Sequence, residues 1–92
     1  MTAPKIRLRG AMTCPPESAP AVRAALPDHI RLTRAEPGCI RFDVTETAPG
    51  VFTVEELFTD QAAFDAHQSR TRASAWFAVT QDFPRDYSVV SE

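Results

Sequence analysis

The sequence predicts a ferredoxin-like α+β domain, in which helices cover one face of a four-stranded antiparallel sheet. Strand and helix patterns follow one another in the order β-α-β-β-α-β. Apolar residues alternate with polar ones in the strands and recur every three or four residues in the helices. Because 92 residues can build only one core, residues 1–92 are expected to form a single domain.

The first strand is predicted from Lys5 to Cys14, where apolar Ile6, Leu8 and Met12 alternate with polar neighbours. Pro15 and Pro16 then end the strand. The next segment is therefore expected to begin a helix.

That helix is predicted from an N-cap at Ser18 to about Arg34, because Val22, Leu26 and Ile30 fall on one face. Pro27 lies inside it and removes one backbone donor. We therefore expect the helix to be bent or split near this proline.

A hairpin follows the turn at Glu36-Pro37-Gly38, with strands at Cys39–Glu46 and Val51–Phe58 and a connection at 47–50. Period-two alternation assigns one shared face to a set of apolar side chains: Ile40, Phe42, Val44, Phe52, Val54 and Phe58. Glu56 falls on this apolar face, whereas Glu55 points to the other side near Arg41.

The second helix is expected to begin at a cap formed by Thr59 or Asp60, with Ala63, Phe64 and His67 on its core face. Further helical turns at 72–81 place Ala75, Trp76, Val79 and Thr80 on one side. A last short strand carries Tyr87, Val89 and Val90.

The predicted strand order, 4-1-3-2, separates the two cysteines. Strand three would lie between the strands that carry Cys14 and Cys39, and two strand spacings of about 4.8 Å exceed the reach of a disulfide. We expect two free thiols.

Composition excludes several classes of partner. A net charge of −2 with interspersed signs gives no field that would hold nucleic acid or an anionic membrane. No segment approaches the roughly 20 apolar residues of a membrane span, and the first ten residues lack a secretory pattern, so a cytoplasmic location is expected.

Cofactor motifs are missing as well. The three glycines, at positions 10, 38 and 50, form no phosphate-binding loop, so a nucleotide cofactor is not expected. His29 and His67 lie on different helices without metal-ligand spacing, so no metal site is expected.

Three segments, Glu36–Phe42, Glu56–Asp60 and Ala62–His67, resemble the antibiotic biosynthesis monooxygenase family in order and spacing. In that family an E-P-G-C-hydrophobic-x-aromatic segment opens strand two, a glutamate closes strand three, and a helix ending in Ala-His follows. The resemblance spans nearly the whole chain. It implies a homodimer formed through the sheets, a dimeric α/β barrel.

The resemblance also implies an activity. Characterised relatives include oxygenases that act on polycyclic phenols or quinols without flavin, haem or metal, together with haem-degrading and isomerase branches. A phenolate can give an electron to O₂ once a base removes its proton and an apolar pocket excludes water. We therefore expect a cofactor-independent monooxygenase acting on a small aromatic phenol or quinol.

The expected site lies between helices and sheet, with His67 as the base and Glu56 as its partner or as a group that binds a hydroxyl. Aromatic side chains are expected to bind the substrate: Phe42, Phe58, Phe64 and Trp76. Each of these residues has an alternative role, His67 as a core histidine bonded to backbone, Glu56 as half of an ion pair and the aromatic residues as core.

Two departures from the family pattern limit the chemistry. The second histidine that often follows the helix histidine is missing from 69–72, so a two-histidine mechanism is not expected. The chain has no asparagine, which disfavours the haem-degrading branch. A non-catalytic dimeric metabolite-binding or stress-response module, or an isomerase branch, remains the alternative function.

Overall fold

The structure is a computed structural model that describes residues 3–92, so Met1 and Thr2 of the predicted domain lie outside the described residues. Besides a short 3₁₀ turn at Pro16–Ser18, the regular elements are three helices and four strands. They are β1 (Ile6–Thr13), α1 (Ala19–Arg34), β2 (Cys39–Ala48), β3 (Val51–Phe58), α2 (Gln61–Arg72), α3 (Ala75–Thr80) and β4 (Arg85–Ser91).

The four strands form one antiparallel sheet in the order β2-β3-β1-β4, which confirms the ferredoxin-like prediction. Cys14 and Cys39 are free thiols on opposite sides of β3, as predicted. In the part of the chain that the structure describes, no helix is long and apolar enough to cross a bilayer.

The core lies between the sheet and the helices. One buried cluster joins the far end of β1 to α1 and α3 through Met12, Val22, Phe52 and Trp76. A second cluster joins the other end of the sheet to α2 through Ile6, Leu8, Val54, Phe58 and Phe64. The two clusters hold the helix layer on the sheet face predicted from the alternation.

Phe42 pairs with Glu56, which confirms the predicted shared face of the hairpin at this position. For Ile40 the prediction is wrong. The register shifts between Cys39 and Arg41, so Ile40 is the additional residue of a β-bulge and is 48% exposed. Cys39 packs against the second core cluster in its place.

Helix α1 runs without interruption through Pro27, so of the predicted bend or split the split is wrong. Pro27 is exposed, and the carbonyl left without its partner on this side can be solvated. Ser18 occupies the N-cap position but makes no side-chain capping bond.

The second helical region consists of two helices, each of which begins at a capping residue. Asp60 Oδ1 accepts a hydrogen bond of 2.8 Å from Ala63 N and begins α2. Ser74 Oγ accepts one of 3.2 Å from Phe77 N and begins α3, a little later than predicted. The caps fix the helix that carries His67.

Gly38 allows the entry of β2 to pack closely against α2. A Cβ atom at this position would lie 2.2 Å from Ala63 Cβ, well inside van der Waals contact. The absence of a side chain here therefore sets how near α2 lies to the 36–38 segment.

We expect Gly38→Ala to destabilise the fold by about 1–3 kcal/mol through this overpacking, measured by denaturant unfolding. Ala63→Gly alone should cost about 1 kcal/mol of helix propensity. The double variant should lose less stability than the sum of the two single losses, because removing the Ala63 methyl group relieves the clash. Strict additivity would show that the contact does not limit the packing.

Candidate active site

A cavity of about 250 Å³ lies between the helix layer and the sheet. Every helix and three strands contribute to its lining, which comprises Leu8, His29, Glu56, His67, Gln68, Thr71, Arg72, Trp76, Phe77, Arg85 and Tyr87. Of the predicted site residues, His67, Glu56 and Trp76 line the cavity. Phe42, Phe58 and Phe64 are buried and do not line it.

The imidazole of His67 is held by two of these phenylalanines. Its ring stacks on Phe58, with ring centroids 4.9 Å apart, and lies 5.6 Å from Phe42. Phe64 packs edge-on against Phe58 at 5.8 Å and thus supports this contact from behind. The phenylalanines position the histidine instead of forming the cavity wall.

The hydrogen-bond partner of His67 is Glu36, a residue that the sequence analysis did not single out. Glu36 Oε1 lies 3.1 Å from His67 Nδ1. Arg70 donates to the other carboxylate oxygen, and its Nη2 donates to Thr33 Oγ1 at 2.8 Å. Because a carboxylate only accepts, Nδ1 carries the proton and Nε2 is left as an acceptor.

His67 Nε2 lies on the side of Thr71 and Glu56. Thr71 Oγ1 is 3.4 Å from it, a long hydrogen bond, and Glu56 Oε1 is 3.7 Å away, beyond hydrogen-bonding distance. Burial lowers the pKa of His67, while Glu36 raises it and Arg70 lowers it further. The imidazole is therefore neutral near pH 7 and has a free basic nitrogen.

Glu56 is a buried carboxyl group without a compensating charge. Its Oε1 atom has no hydrogen-bond partner among the described residues, and the residue is only 6% exposed. Burial, with a smaller contribution from Glu36, raises the pKa of Glu56 to about 7. The group can thus hold or release a proton near neutrality.

A second imidazole, that of His29, comes from α1. It stacks on Trp76 with centroids 4.9 Å apart and planes at 2°, and its centroid is 6.1 Å from that of His67. Its Nδ1 atom has no partner in the described chain. Burial, with nearby positive charges, lowers its pKa to about 3, so this ring is also neutral.

The finding for His29 revises the expectation of a single-histidine site. Local sequence after His67 supplies no second imidazole, but α1 supplies one, with its ring centroid 6.1 Å from that of His67. A signal was available, because Val22, Leu26, His29 and Thr33 share the core-facing spacing of α1. Nothing local indicated that this face would meet α2.

The edge of the cavity near β4 is built by Arg85 and Tyr87. Arg85 donates to the Thr80 carbonyl at 2.8 Å and to Thr80 Oγ1 at 2.7 Å, which ties β4 to the end of α3. Burial raises the pKa of Tyr87. Residues 3–92 contain no group of three or more His, Cys, Asp or Glu placed to hold one metal ion.

The comparisons with solved structures agree with this architecture. The Mycobacterium tuberculosis protein Rv0793 is 25% identical, with 96% of this chain and 94% of that one covered and a TM-score of 0.76. The Shewanella oneidensis protein SO0527 is also 25% identical, with 97% and 91% covered and a TM-score of 0.78.

A Caulobacter crescentus protein described as a candidate antibiotic biosynthesis monooxygenase is 20% identical, with 99% and 92% covered and a TM-score of 0.82. No curated protein matches the sequence. The family model for antibiotic biosynthesis monooxygenase matches residues 6–79, which include every strand and helix that builds the cavity except β4 and the last residue of α3. The chain therefore belongs to the antibiotic biosynthesis monooxygenase family.

Proposed function

We propose that this protein is a cofactor-independent monooxygenase that oxidises a small phenol or quinol with O₂, with His67 as the general base. The observation that carries this proposal is the Glu36–His67 hydrogen bond, which leaves a neutral Nε2 beside the unpartnered carboxyl of Glu56 in the cavity. A base in this state can take a phenolic proton.

The reaction balances without a cofactor. His67 Nε2 removes the phenolic proton, and the phenolate gives one electron to O₂, producing a phenoxyl radical and superoxide. Their combination forms a carbon–oxygen bond at the ring, and loss of the ring hydrogen with cleavage of the O–O bond gives a quinone and one water. Phenol plus O₂ thus becomes quinone plus H₂O, and the substrate supplies all the electrons.

The surrounding residues support these steps. Protonated His67 stabilises the charge that develops on oxygen, and Glu56 in its neutral form donates a hydrogen bond to the same region. The indole of Trp76, one face of which stacks on His29, lines the cavity, and an aromatic ring bound there would pack against it. Phe42, Phe58 and Phe64 fix the orientation of His67 and are proposed to affect binding only through it.

We propose a homodimer formed through the outer sheet face. That face is charged, but its charges are already paired within one chain. Glu55 Oε1 lies 3.0 Å from Arg7 Nη1, 3.3 Å from Arg9 Nη2 and 3.4 Å from Arg41 Nη1. Arg41 also pairs with Asp43, and Arg7 with Glu92. A surface whose charges are matched can be covered at lower cost than one with isolated ions.

Oxygen consumption with a panel of one-ring quinols tests the activity. We expect uptake above the uncatalysed rate, with His67→Gln lowering kcat/KM by about 10²–10⁴-fold because the base is lost. Gln61→Ala, at the exposed start of the same helix, is the matched control and should keep full activity. Equal rates for His67→Gln and the parent would contradict the proposal, and binding without oxygen uptake would favour the receptor alternative.

Replacing Glu36 separates the positioning of His67 from its chemistry. Because the Glu36 charge stabilises the imidazolium, Glu36→Gln should lower the pKa of His67, measured by NMR titration of its ring protons. kcat should fall roughly tenfold while KM changes little, because the base is weaker and less well oriented. Exposed Glu17→Gln is the control, and an unchanged His67 titration would exclude this coupling.

Glu56 should make stability fall as pH rises. The pKa of Glu56 is about 7 in the folded protein and 4.5 in the unfolded chain. Its burial therefore does not lower the free energy of unfolding below pH 4.5, and lowers it progressively as the pH rises from 4.5 to about 7. Glu56→Gln should therefore gain roughly 1–3 kcal/mol relative to the parent at about pH 8, and clearly less at about pH 5. Urea unfolding measures this difference, and a pH-independent difference would contradict it.

A further inference from the structure

We propose that the cavity selects a one-ring phenol that carries an acidic substituent, with its hydroxyl toward Glu56 and His67 and its acidic group toward Arg72 and Arg85. This inference rests on the proposed function and deepens it by naming a substrate class. It depends on how polar and charged groups are distributed along the cavity.

Two residues at the inner part of the cavity each carry a buried polar atom that lacks a partner in the described chain. These atoms are His29 Nδ1 and Glu56 Oε1, on residues that are 5% and 6% exposed. Leaving such atoms unpaired costs free energy, and a ligand hydroxyl can both donate and accept hydrogen bonds. A phenolic hydroxyl placed here would satisfy Glu56 and lie beside His67 Nε2.

The outer part of the cavity carries two positive charges without counterions. Arg72 is exposed and Arg85 half-buried, and neither forms an ion pair with any carboxylate of residues 3–92. The remaining arginines of the chain all form such pairs: Arg7, Arg9, Arg23, Arg31, Arg34, Arg41 and Arg70. The arginines that lack a carboxylate partner are thus the ones that line the cavity.

The orientation of the ligand follows from this separation. An anionic group at the inner end would meet the carboxyl of Glu56, with that of Glu36 close behind His67. At the outer end the same group would meet the guanidinium group of Arg72, which can bind a carboxylate through paired N–H donors. It would also meet the positive charge of Arg85, whose Nη1 and Nη2 atoms already donate to Thr80 and Phe83. The acidic group is therefore placed outward and the hydroxyl inward.

The size of the cavity suits a ligand with one ring. A cavity of about 150 Å³ is enough for benzene. The 250 Å³ found here accommodates one ring with two small substituents. Stacking of this ring on Trp76 also supplies a spectroscopic signal, since Trp76 is the only tryptophan of the chain.

Binding of two nearly isosteric probes, 4-hydroxybenzoate and neutral 4-hydroxybenzamide, tests the proposal by calorimetry and by Trp76 fluorescence. We expect the acid to bind at least about tenfold more tightly, and added salt to weaken only the acid. Benzoate, which lacks the hydroxyl, should bind more weakly than 4-hydroxybenzoate.

Arg72→Gln should remove roughly fivefold or more of the preference for the acid and leave the affinity for the amide unchanged. Arg31→Gln is the matched control, because Arg31 is an exposed arginine near the end of the other long helix and does not line the cavity. Thermal unfolding of both variants verifies that they are folded.

Equal affinities of the acid and the amide, or an unchanged preference in Arg72→Gln, would overturn the inference. Oxygen uptake with neutral quinols would then still support the proposed activity. Conversely, selective binding of the acid without any oxygen uptake from 2,5-dihydroxybenzoate would support the inference and count against the activity. The two proposals can therefore fail separately.

Discussion

The site depends on one hydrogen bond, between Glu36 and Nδ1 of His67. Glu36 lies on the short connection between α1 and β2, and Arg70 joins the same carboxylate to α2 and to Thr33 of α1. One carboxylate thus links three segments and fixes both the orientation and the tautomer of the imidazole. Gly38 makes this possible, because a side chain there would push α2 away from the connection.

The protein tolerates several buried ionisable groups by keeping them neutral. His29 has its pKa lowered to about 3 and Glu56 has its pKa raised to about 7, so neither is a full charge near neutrality. Burying both in charged form would cost several kcal/mol each, a total comparable with the whole net stability of a small domain. Both residues line the cavity, so their buried polar groups lie close to the space that a ligand would occupy.

Local sequence patterns were sufficient to predict the elements, because alternation and helical spacing indicate which face of each element is buried. The order of these elements then predicted the ferredoxin-like strand order. Local patterns identified His67, Glu56 and Trp76, which do meet in the cavity. They failed where distant segments decide the outcome. Ile40 follows the alternation of the strand, but a β-bulge leaves its side chain exposed. Glu36 and His67 form a hydrogen bond although they are far apart in sequence and belong to no common periodic pattern.

The arginines of this chain fall into two groups, which differ in whether the side chain pairs with a carboxylate. Arginines on the outer sheet face are matched with carboxylates, which lowers the cost of covering that surface. Arg72 and Arg85 have no carboxylate partner among residues 3–92, and both line the cavity. The shared fold supplies the pocket, and in our proposal these two side chains select the ligand. The proposed chemistry then depends on the neutral interior and the proposed selectivity on the charged outer part, so the two can change independently within one family.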